Sequence, residues 1–135
     1  MKSIISIKGF EPKTAKPGEE VKRKIELRDL IFSQTKNLND IKETFRGKFL
    51  SLNVRFFLYN GNIKDTTRYT KDLDNLLKIV CDVLPDYMDT DKINAGLGII
   101  EQKRDDLIYE IHCAKEFVST TDEEGIEIEL SEYYE

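Results

Sequence analysis

The feature that most constrains this chain is the run Leu73-Asp-Asn-Leu-Leu-Lys-Ile-Val-Cys-Asp-Val-Leu84. Leu73, Leu76, Leu77, Val80 and Leu84 recur at helical spacing and predict an amphipathic helix from about Leu73. A helix with one apolar stripe has to be covered by a second layer, so the rest of the chain must supply one. Asp74, Lys78 and Asp82 fall four apart and line the opposite face. Asp72 stands where an N-cap belongs, and its carboxylate can turn toward the same space as that of Asp74. Two acids with an ammonium one turn further on suit a hard divalent cation. The same residues equally suit a capped helix with a surface ion-pair ladder, and spacing alone leaves both open.

Strand signals surround this helix. Phe49–Tyr59 alternates Leu50, Leu52, Val54, Phe56 and Leu58 toward one face and is closed by Asn60-Gly61-Asn62, so it predicts a core strand. Lys2–Lys8 alternates Ile5 and Ile7 against polar neighbours, and Ile108 to Lys115 reads as a further strand. Gly125–Leu130 sets Ile126, Ile128 and Leu130 against Glu127 and Glu129; with its exposed acids it is expected to form a final edge strand. Between the first two strands, residues 11–18 form a Pro- and Gly-marked loop. Glu19 to about Gln34 predicts a helix burying Val21, Ile25, Leu27 or Arg28, Leu30 and Ile31, and Asn37–Arg46 a short one ending at Gly47. Lys22, Arg23, Lys24 and Arg28 make the longer helix the most basic segment; a solvated face is the default, DNA contact the alternative. The expectation is a single small α+β domain over residues 1–135, with a mixed or antiparallel sheet packed against two main helices.

Lys71-Asp-Leu-Asp-Asn-Leu-Leu-Lys78, followed by Asp82-Val-Leu84, resembles the signature of the RusA family of Holliday junction resolvases, Asp-x-Asp-Asn-x-x-Lys and then Asp-x-Leu. The likeness covers roughly residues 48–130. It implies a RusA-like fold and a homodimeric, structure-selective endodeoxyribonuclease that cuts four-way junctions in DNA recombination and repair. It implies Mg²⁺ as cofactor, with Mn²⁺ as substitute, held by Asp72, Asp74 and a third carboxylate just before the next strand. Ile108-Tyr-Glu-Ile-His-Cys-Ala-Lys115 resembles the family's next strand with its closing lysine. An ungapped alignment puts Asp105 in the metal slot, and one gap puts Asp106 there; Asp89 and Asp91 are the fallback. This choice implies an insertion of about a dozen residues after the helix, a length that a surface loop tolerates. Lys78 is assigned to the attacking water or the scissile phosphate, and Asp82 to holding Lys78 in place. Lys64, Arg68 and Lys71, in the loop before the helix, are placed to meet phosphates, as is Lys115.

Charge and cysteine content narrow the alternatives. The chain of 135 residues carries a net charge of −5, against what phosphate binding favours. Residues 119–135 hold seven of the acids and no Lys or Arg, which leaves 21 basic against 19 acidic groups in the remainder, a net of +2. Cys81 and Cys113 with the single histidine, His112, make no zinc set; buried free thiols and a structural or surface histidine are expected. No apolar run approaches membrane-spanning length and Met1-Lys-Ser-Ile begins no signal peptide, so a cytoplasmic protein without a membrane partner is expected. Two further classes stay open, a non-catalytic DNA-junction binder and an acidic protein-interaction module.

Overall fold

A computed structural model describes residues 2–13, 18–59, 73–86, 96–101 and 105–134, with only the backbone at 105. Its centre is β2 (Leu50–Tyr59), whose alternate residues Leu50, Leu52, Val54, Phe56 and Leu58 are all buried. The strand is long because it is flanked on both sides: β4 (Gly125–Glu132) pairs with it antiparallel, and β3 (Ile108–Val118) pairs with it in parallel. β1 (Lys2–Lys8) adds antiparallel to the far side of β4, giving a mixed four-stranded sheet in the order β1-β4-β2-β3. Ile5, Ile7, Ile126, Ile128 and Leu130 join the β2 residues on one apolar face.

That face is covered by α1 (Glu20–Gln34) and α3 (Leu73–Val83), the two main helices expected, together with the short helix α2 (Leu38–Phe45). The short helix contributes Leu38, Ile41 and Phe45 to the core and ends where Gly47 takes φ +75°, a conformation that favours glycine. On α3 the buried residues are Leu76, Ile79, Val80 and Val83, with Leu84 just beyond, while Leu73 and Leu77 are half-buried. The α3 stripe is therefore rotated slightly from the one that leucine spacing predicts.

Two expectations fail on packing. The acidic last strand is not an edge: β4 lies between β1 and β2. Glu127 and Glu129 stand on the open face of the sheet and meet cations of neighbouring strands, Glu127 with Arg55 at 2.8 Å and Glu129 with Lys2 at 2.7 Å. These partners hold the Arg55 guanidinium and the Lys2 ammonium above their ordinary pKa values, through hydrogen bonding to Glu127 and Glu129 respectively. Cross-strand pairing, not edge protection, is what those acids do.

The second failure concerns α1. Its buried residues are Arg23, Leu27 and Ile31; Ile25 and Leu30 are half-buried, and Val21 is exposed. Arg23 is only 5% exposed, with its guanidinium carbon 4.2 Å from the Phe10 ring centroid. Its Nη2 donates to the Glu11 carbonyl at 2.6 Å and the Lys13 carbonyl at 3.3 Å, and its Nη1 to Glu26 at 3.0 Å. The guanidinium thus straps the segment after β1 onto α1 and is withdrawn from the basic surface that the sequence suggests.

Candidate active site

Helix α3 presents Asp74 in its first turn and Lys78 one turn later, both exposed to solvent. The apolar stripe explains this: Leu76, Ile79, Val80 and Val83 are driven into the core, which turns the positions between them outward. In the first turn the free backbone N–H groups favour a negative charge, and Asp74 stands there.

Asp82 has a different role from the one expected. Its carboxylate is 2.9 Å from Lys24 Nζ on α1, so it ties α3 to α1 rather than holding Lys78. Both side chains are largely covered, 17% and 31% exposed, which gives the pair more weight than an open surface pair. The ladder Asp74–Lys78–Asp82 is therefore not formed: among the described residues Asp74 and Lys78 have no salt-bridge or hydrogen-bond partner.

Beyond α3 the chain makes a tight neck. The Gly96 N–H donates to the Asp86 carbonyl at 2.7 Å, Leu97 N–H to Val83 at 2.8 Å and Ile99 N–H to Leu84 at 2.8 Å. A side chain at Gly96 would run into the Pro85 carbonyl, which is why glycine stands there. Asp86 also lies 3.7 Å from Arg46, just past α2. The two flanks of the segment carrying Asp89 and Asp91 thus join at the C-terminal end of α3, whereas Asp74 stands in its first turn. A short 3-10 turn, Asp105–Leu107, then leads into β3 opposite Leu50, with the Asp106 side chain exposed.

Of the residues assigned to metal, Asp74 and Asp106 are described in full, and Asp105 by its backbone. Asp72, Asp89 and Asp91 lie outside the described residues, as do Lys64, Arg68 and Lys71. Among the described residues no three His, Cys, Asp or Glu side chains gather as a metal set. Lys115 is exposed and pairs in register with Phe56, a core-facing residue, so it projects from the helix-covered side of the sheet, the side of α3. It does not close its strand, because β3 runs on to Val118.

His112 is exposed on the other face, 3.7 Å from Glu110, as a surface histidine. Cys81 and Cys113 form no disulfide among the described residues and are half-buried rather than fully buried. No helix among the described residues is long and apolar enough to cross a membrane. Comparison of the chain with protein-family models, with curated proteins and with solved structures gives no match.

Proposed function

We propose that this protein is a metal-dependent, structure-selective endodeoxyribonuclease of the cytoplasm, acting as a homodimer on four-way DNA junctions. The observation that supports it is the exposed pair Asp74 and Lys78 in the first turns of α3, which have no ionic partner among the described residues while the neighbouring Asp82 is engaged by Lys24. A surface ladder would have used these charges on one another.

The donor set fits a hard cation, since it consists of carboxylates with neither thiol nor imidazole. Asp72 and Asp74, with Asp105 or Asp106, would hold Mg²⁺, or Mn²⁺ in its place. A divalent cation bound there supplies an activated water and relief of charge on the phosphate undergoing hydrolysis. Lys78, one turn from Asp74, orients that water or neutralises the scissile phosphate. Lys115, on the same side of the sheet, joins Lys64, Arg68 and Lys71 in meeting DNA phosphates.

An acidic interaction module is less well supported. On the open face Glu116 and Glu127 meet Arg55 and Glu129 meets Lys2, while on the helix-covered side Glu132 lies 3.5 Å from Lys48. Acids so neutralised offer little charge to a basic partner. Incubation of the protein with a synthetic four-way junction and Mg²⁺ or Mn²⁺ tests the proposal. Symmetric nicks that vanish with chelator are expected. Junction binding without nicking in either metal would instead favour a non-catalytic binder on this scaffold, and neither binding nor nicking would favour the interaction module.

A further inference from the structure

The sheet has two edges among the described residues, and they differ. On β1, the Gln34 side chain occupies the backbone of Lys8 as a strand would: its Oε1 accepts from the Lys8 N–H at 2.9 Å and its Nε2 donates to the Lys8 carbonyl at 2.8 Å. That edge is also short and begins and ends on lysine. The other edge, β3, is an 11-residue strand paired on one side only. It exposes Ile111 (39%) and Phe117 (63%) on the helix-covered side, in register with the buried Leu52 and Leu58. A long strand edge with exposed apolar residues invites another strand unless it is guarded.

We propose that β3 pairs antiparallel with β3 of a second copy of this chain, with the two-fold axis at Ala114. Side-chain chemistry selects this register. A two-fold axis perpendicular to the sheet keeps both helix layers on one side and requires like faces to pair, so the axis passes through a residue. With Ala114 on the axis, Ile111 of one copy faces Phe117 of the other, His112 faces Glu116, and Cys113 faces Lys115. An axis at Cys113 would set Glu110 against Glu116, and an axis at Lys115 would set two lysines together. Axes at Ile111 or His112 leave Phe117 without a partner.

This pairing deepens the proposed function by naming the surface of its homodimer. Both α3 helices would then lie on one side of a continuous sheet, with the two Lys115 residues beside the axis. That consequence rests on the junction reading, because two cuts in a two-fold-symmetric junction need two sites on one side. The pairing itself is read without metal or DNA, so a monomer would overturn it together with the homodimer of the proposed function, and metal-dependent nicking would still be tested separately.

Sedimentation of the purified full chain at tens of micromolar is expected to give twice the 15.7 kDa chain mass. Phe117→Lys should weaken the dimer by at least about tenfold, since the symmetry makes each Ile111–Phe117 contact occur twice. Because Phe117 is exposed, far-UV circular dichroism of that variant should match the parent. Ala114→Cys, with Cys81→Ser and Cys113→Ser, should form a disulfide-linked dimer under mild oxidation, because residues on the axis fall within bridging distance. The unsubstituted chain, whose two Cys113 residues are offset by this register, should not cross-link through them. A monomer at these concentrations overturns the proposal, as does a dimer that ignores Phe117→Lys and fails to cross-link through Ala114→Cys.

Discussion

Replacing Arg23 by methionine tests whether its buried guanidinium is structural. Methionine keeps most of the apolar stem and removes the charge and its donors. The short bond to the Glu11 carbonyl (2.6 Å) is charge-assisted and contributes about 1.5–2 kcal/mol. The longer one to Lys13 (3.3 Å) adds roughly 0.5 kcal/mol, and the stack on Phe10 about 0.5–1 kcal/mol. The contact with Glu26 is discounted, because that carboxylate is 43% exposed. Against these stands the Arg23 Nε, buried without a hydrogen-bond partner among the described residues, whose removal returns about 1 kcal/mol. The net loss expected is about 2 kcal/mol, or roughly 8 °C in Tm for a chain of this size. Urea denaturation followed by circular dichroism measures it, with an unchanged m-value showing that the folded state is intact. A variant within about 0.5 kcal/mol of the parent would refute the strap, since this is the spread of ordinary surface substitutions. A matched loss of junction affinity at unchanged stability would return Arg23 to the DNA surface.

Three further outcomes bear on the proposed chemistry. Asp74→Asn, at an exposed position, should leave the fold intact, with Tm lowered by no more than a few degrees for the lost first-turn charge, and lower junction cleavage by on the order of a hundredfold or more; near-normal cleavage would remove Asp74 from the metal site. Lys78→Ala should reduce single-turnover rate more than junction affinity, and a proportional fall in both would make it an ordinary phosphate contact. Asp105→Asn should resemble Asp74→Asn while Asp91→Asn stays active, because a carboxylate at the start of a strand is better fixed than one on a glycine-flanked segment; the reverse pattern in a cleavage assay would assign the third carboxylate to the fallback pair, and loss with Asp106→Asn alone would move the register by one residue.

What the sequence determined by itself is what period and punctuation carry. The alternation in β2, the span of β1, the start of α3 at Leu73 and the Gly47 stop after α2 were legible because each depends on neighbours a few residues away. The outward facing of Asp74 and Lys78 was legible for the same reason. The third carboxylate was not, because residues separated by some thirty positions meet or miss according to how the connecting chain returns.

Only the tertiary structure decided which strands are edges, and it moved β4 inward because both β1 and β2 could pair with it. It made Arg23 a core residue, because the segment after β1 offered it carbonyls and an aromatic ring that helical spacing cannot anticipate. It joined Asp82 to Lys24 because packing of α1 on α3 brought a cation from another helix nearer than the one on its own. Strand order and the choice of ionic partner are settled by contacts between distant segments, and local side-chain periodicity holds no record of them.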